Sequence, residues 1–172
     1  MQIILAHKKG YVESETLCYA IEFITFATTL DATMEKLTPF VDTLLYETIM
    51  PIMFVTAKDI EIFEVDPTEY VRGFYDFSEM VFLPRNQVQT LLCALTGLGY
   101  NKKKKKGGRP VQMKDPNPEH LAKFFQFALK NLNEYSAKVR ANQPVDWRIQ
   151  EALLYAIGSL RDQIWKNNEM RA

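Results

Sequence analysis

The chain has 172 residues, 47% of them hydrophobic and 24% charged, with 7 Gly and 8 Pro. That composition belongs to a folded protein and excludes collagenous or wholly disordered material. Its 21 basic and 21 acidic residues cancel, which lowers the expectation of nucleic-acid binding, where phosphate neutralisation normally demands a basic surplus.

The amino-terminal run Met1 to Gly10 carries its lysines after a short apolar stretch, the reverse of a secretory signal. The first predicted helix spans about 13–30. Leu17, Ala20, Ile21, Ile24 and Ala27 form one stripe, and Phe23, Phe26 and Leu30 make the opposite side apolar too. A helix apolar nearly all round is expected between neighbours. Glu22 and several threonines interrupt this stretch, which is too short for a bilayer span. The expectation is a soluble, intracellular protein with no membrane partner.

The second helix is expected to open with Thr38 as cap and Pro39 at its first position. Its stripe is Phe40, Val41, Leu44, Leu45, Thr48, Ile49 and Ile52, and Pro51 should end or kink it near Met50. Residues 55–83 form an acidic insertion of short helical turns, bearing Asp59, Glu61, Glu64, Asp66 and Glu69 among Ile60, Ile62, Phe63 and Val65.

A third helix runs from Pro84 to about Leu95, with Val88, Leu91, Leu92 and Leu95 in register and Gly97 and Gly99 to end it. Residues 100–116 read as a solvated basic loop, with five consecutive lysines (Lys102 to Lys106) and Arg109. The fourth helix starts at Asn117 and Pro118 and carries Leu121, Phe124, Phe125, Ala128, Leu129, Leu132 and Tyr135. After Pro144, Asp146 caps the last helix, whose stripe is Ile149, Ala152, Leu153, Ala156, Ile157, Leu160 and Ile164.

No segment alternates over strand length, so the expected class is all-α, built from antiparallel helical hairpins. Periodicity alone leaves a closed bundle and an open solenoid both standing. Cys18 and Cys93 lie in apolar helical stretches without Cys-x-x-Cys spacing, so they read as buried free thiols, and no metal or cofactor is expected. His7 and His120 lack partners at metal or nucleophile spacing, and His120 is expected to be exposed. No phosphate loop, Ser-His pair or paired-carboxylate motif is recognisable, so the chain reads as no enzyme.

Two stretches carry a resemblance. Asp146 to Leu160, Asp-Trp-Arg-Ile-Gln-Glu-Ala-Leu-Leu-Tyr-Ala-Ile-Gly-Ser-Leu, resembles the second helix of a HEAT repeat: the Asp caps, and Ala152, Ala156 and Gly158 permit close helix approach. Gln150 stands where the repeat usually has Arg. Leu44 to Met53, followed by Glu64-Val65-Asp66-Pro67-Thr68-Glu69-Tyr70-Val71-Arg72, resembles the middle of the importin-β superfamily, where a helix ends at Pro and an Asp-Pro-x-Glu-Tyr-Ile/Val-Arg insertion follows. Phe77 to Leu92 then resembles the next helix.

The resemblance covers about 35–165 and points to the importin seven/eight branch. It implies that residues 1–172 are a partial HEAT-repeat solenoid, an α-α superhelix of armadillo type. It further implies a nuclear import receptor that binds protein cargo, answers to Ran-GTP, contacts nucleoporins and shuttles between cytoplasm and nucleus. The export receptor for importin α shares the Glu-Tyr-x-Arg insertion and is the rival within the family. A helical adaptor that binds a partner peptide is the rival outside it.

The candidate interaction motif is Asp66, Pro67, Glu69, Tyr70 and Arg72, which fits either a functional clamp or a pin that fixes the insertion; the structural role is favoured. Asp59, Glu61 and Glu64 are candidates for an acidic partner-binding loop that attracts basic cargo. The lysine run fits a nuclear localisation signal less well than a solvated loop. Phe124, Phe125, Phe127, Tyr135 and Trp147 are expected in the core.

Overall fold

The computed structural model describes residues 12–73, 82–97 and 118–166. Among these residues every regular element is a helix, with no strand. His7, the basic loop at 100–116, Asn117 and Phe77 to Val81 lie outside the described residues.

Helix α1 (Ser14–Ala27) buries Leu17, Cys18, Ile21 and Thr25. Its threonines fold back on the backbone. Thr25 Oγ1 donates to the Ile21 carbonyl at 2.9 Å, and Thr28 Oγ1 to the Thr25 carbonyl at 2.7 Å. The expectation of burial on all sides fails: Phe23 is 72% exposed and Phe26 61%. Among the described elements the main packing partner of α1 is the helix at 84–95, which covers one side only.

The second helical stretch begins earlier than its sequence suggests. Helix α2 (Asp31–Leu37) runs into a 3-10 turn (Thr38–Phe40), a π-helical segment (Thr43–Ile49) and the short α3 (Met50–Met53). Thr38 therefore does not cap the start of a helix; it is the C-cap of α2. Its backbone is helical, and its hydroxyl donates to the Met34 carbonyl at 2.9 Å. Pro51 does not stop the helix at Met50; the chain becomes extended only at Phe54. A proline lacks the N–H for the carbonyl four residues back and crowds it, and the wider π turn just before Pro51 is one known way to absorb such a fault. Val41, Leu44, Leu45, Thr48 and Ile49 are buried as the stripe requires, while Phe40 stays exposed.

The acidic insertion forms two short helices, α4 (Ala57–Val65) and α5 (Pro67–Gly73), neither of which has a buried residue. Among the described elements, helix α6 (Pro84–Leu95) packs against α1, the π-helical segment, α3 and α8. Val88, Leu91, Leu92 and Leu95 are at most 1% exposed. Gly97 ends the helix at φ 118°, where a Cβ would be strained.

Helix α7 (Pro118–Arg140), α8 (Trp147–Ser159) and α9 (Arg161–Lys166) complete the described chain. Leu121, Phe124 and Ala128 of α7 meet Ala152, Leu153 and Ala156 of α8 in the shared core, with Leu160 at the break between α8 and α9. Gly158 faces open space, with no atom within 4 Å of where its Cβ would stand. Close approach rests on Ala152 and Ala156 instead, both fully buried. Among the described residues no single helix is long and apolar enough to cross a membrane.

Candidate interaction site

The residues singled out at 59–72 divide between caps and an open surface. Thr56 and Asp59 form a capping box at the start of α4: the Thr56 hydroxyl accepts from the Asp59 N–H at 3.2 Å, and Asp59 Oδ2 accepts from the Thr56 N–H at 2.8 Å. Such reciprocal bonds satisfy two of the N–H groups that a helix start leaves orphaned. Asp66 does the same for α5, where its Oδ1 accepts from the N–H of Thr68 at 2.9 Å and of Glu69 at 3.0 Å. Pro67 follows at the first helical position. Asp59 thus sits on a helix rather than in a loop, and its carboxylate is occupied by the cap.

Glu61 and Glu64 are exposed. Glu69 and Arg72 form an exposed i,i+3 ion pair at 3.2 Å, a geometry that contributes little to stability. Around these charges Phe63 is 51% exposed, Val65 82% and Val71 51%. The outer face of the insertion is therefore acidic and apolar together.

Tyr70 turns the other way. Its ring meets Phe63 edge-on at 5.5 Å between centroids, an arrangement that suits the ring quadrupoles. Burial raises the Tyr70 pKa, and the Arg85 charge partly offsets the rise.

Arg85 joins α6 to α8. It pairs with Glu151 of α8, and its guanidinium carbon lies 4.2 Å from the centroid of the Tyr155 ring. The Arg85 side chain is 12% exposed and that of Glu151 34%. The Tyr155 hydroxyl lies 2.8 Å from Gln89 Oε1 and 3.3 Å from Asn86 Oδ1; with one proton it donates to the nearer. Burial raises the Tyr155 pKa, against a smaller lowering by Arg85. Arg85 Nε and Glu151 Oε2 are buried without a partner among the described residues.

This cluster escaped the sequence. Two signals were present: an arginine in the first turn of α6, where the helix dipole disfavours a cation, and Glu151 and Tyr155 one helical turn apart. Neither fixes which residue reaches across. Asp146 caps α8, its Oδ1 accepting from the Arg148 N–H at 3.0 Å, and the Arg148 guanidinium grips both carboxylate oxygens. Those bonds hold the Asp146 carboxyl below its ordinary range.

A second polar knot closes the carboxyl end of α6. His120 is 7% exposed, contrary to expectation, with Nδ1 3.2 Å from the Leu95 carbonyl oxygen. A carbonyl can only accept, so Nδ1 carries the proton. Gln163 Nε2 donates to the Cys93 carbonyl at 3.1 Å. Two other helices thereby satisfy carbonyls that a helix end leaves open.

Cys18 is buried and Cys93 half-buried, and both are free. Burial pushes each thiol up to about 11. No group of acidic, His or Cys side chains able to hold a metal ion occurs among the described residues. Trp147 is 51% exposed rather than core, while Phe124 is buried and Phe127 stacks on Tyr46 at 4.6 Å between centroids.

No protein-family model matches the chain, and no solved structure matches it. Three curated relatives are similar to it. An "Importin beta-like SAD2 homolog" of Arabidopsis thaliana is 25% identical over 155 residues, 90% of this chain and 13% of the relative. A "Probable importin-7 homolog" of Dictyostelium discoideum is 25% identical over 123 residues, 72% of this chain and 10% of the relative. "Importin-8" of Danio rerio is 22% identical over 172 residues, 99% of this chain and 14% of the relative. The chain thus spans at most 14% of the length of these relatives.

Proposed function

We propose that this chain, an importin-β-family segment, contributes scaffold to a nuclear import receptor that binds protein cargo and is regulated by Ran-GTP. The observation that carries the reading is the similarity to importins from plant, amoeba and fish across most of the chain. Helical hairpins packed on a shared helix suit such a scaffold, because stacked repeats each contact only their neighbours and build long binding surfaces.

The mechanism is binding rather than chemistry. Cargo and Ran-GTP favour different curvatures of the scaffold, and the difference in their affinities for the two shapes drives release. Within the segment, the acidic and apolar face of α4 and α5 is the surface offered to a partner. Glu61, Glu64 and Glu69 steer a basic segment, and Phe63, Val65 and Val71 supply apolar contact. Residence in both cytoplasm and nucleus, with passage through the pore on nucleoporins, belongs to the same reading.

The polypeptide carrying this segment, fluorescently labelled and added to permeabilised cells, is expected to collect at the nuclear rim and enter the nucleus. Exclusion from both, under conditions where a known import receptor enters, contradicts the proposal.

A further inference from the structure

We propose that the π-helical segment Thr43–Ile49 is a register device. It holds one residue more than an α-helix would, so that both ends of a helix with a four-residue apolar repeat meet the same core. The inference stands apart from the transport reading.

The repeat is written in the sequence. Val41, Leu45, Ile49 and Met53 recur at every fourth position, and each is at most 2% exposed. Leu44 and Thr48, a second row at the same spacing, are buried beside them. An α-helix advances about 100° per residue, so each four-residue step overshoots a full turn by about 40°. Three such steps, from Val41 to Met53, would carry the row about 120° round the helix and turn its two ends away from each other.

The π bonds remove that drift. The Met50 N–H reaches the Leu45 carbonyl, five residues back rather than four, so the turn takes in one residue beyond the α count. With one residue set aside as surplus, the separation from Val41 to Met53 falls to about eleven, which is three α turns to within about 20°.

Two features hold the surplus in place. Pro51 has no N–H with which to extend the π series beyond Met50. On the other side, moving the surplus upstream of Val41 would bring Asp42, now exposed, to the position that Val41 fills. A carboxylate buried there without a partner is costly.

The test is a pair of length variants of the full 172-residue chain, unfolded in urea and followed by circular dichroism. Deleting Thr43 removes the surplus and leaves Val41 and Met53 on one face of an ordinary α-helix. That variant should keep a single cooperative transition, with a midpoint within about 0.5 M of the parent's. Inserting one alanine after Thr43 adds a second surplus and turns Val41 about 100° off the core. It should lower the midpoint by at least about 1 M or abolish the transition. A deletion as damaging as the insertion overturns the register device. Equal tolerance of both overturns it too, because the segment would then be slack rather than in register.

Discussion

The guanidinium of Arg85 on α6 lies 4.2 Å over the ring of Tyr155 on α8, in the same place where it pairs with Glu151. One cation thus serves a carboxylate and an aromatic face at once, and it does so at 12% side-chain exposure. A half-desolvated cation needs several partners to offset its lost hydration.

Arg85→Ala strands the Glu151 carboxylate and should cost about 2–3 kcal/mol, less than a fully buried pair because Glu151 keeps some water. Arg85→Met combined with Glu151→Leu should recover most of that loss. Urea denaturation midpoints of the parent, Arg85→Ala and the double variant decide the matter; a double variant as unstable as Arg85→Ala contradicts this reading.

Leu92 lies at the centre of the core at 0% exposure. Leu92→Ala should destabilise by about 2–5 kcal/mol through the cavity it leaves. Phe40, 54% exposed despite its place on the apolar stripe, should cost under about 1 kcal/mol when replaced by alanine. Equal losses at the two positions, measured by chemical denaturation, would refute this placement of the core.

Phe23, Phe26 and Tyr19 make an open aromatic face on α1, exposed by 72%, 61% and 57%. Faces of this kind drive association. Light scattering should find the chain self-associated at micromolar concentration, and Phe23→Asp with Phe26→Asp should return it to monomer. A parent chain that is already monomeric, as a self-contained adaptor would be, removes this argument.

The thiols of Cys18 and Cys93 are pushed up to about 11 from an ordinary value of 9.0. The folded state therefore holds these protons more tightly than the unfolded chain does. Their contribution is complete below pH 9 and fades as pH rises through 11. The half-buried tyrosines Tyr46, Tyr70 and Tyr155 shift in the same direction, so the cysteine share is the difference between parent and Cys18→Ala/Cys93→Ala. The variant should lose less stability between pH 9 and 11; identical pH profiles contradict the burial of the thiols.

What the sequence revealed and what it hid divide along the range of the interactions. Val88, Leu91, Leu92 and Leu95 announce α6 by spacing alone, and Asp146 announces the start of α8 by its place before an apolar run. Both signals are local, so sequence carries them. The burial of His120 depends on the Leu95 carbonyl, and Arg85 finds its partners on α8; these are tertiary facts with no local trace. Thr38 misled because Thr-Pro reads as a helix start, whereas the helix had already begun at Asp31. Gly158 misled in the opposite sense, since a small residue on an open face resembles one at a tight contact. At 57–73 the acidic pattern was visible, yet the division between capping carboxylates (Asp59, Asp66) and open ones (Glu61, Glu64) was not.

The proposed membership of this segment in a Ran-regulated import receptor makes its capture by Ran depend on the bound nucleotide. The polypeptide carrying the segment should be retained by immobilised Ran loaded with GTP, and retained far less by Ran loaded with GDP. Equal retention on both, or none on either while a known importin binds in parallel, contradicts the account.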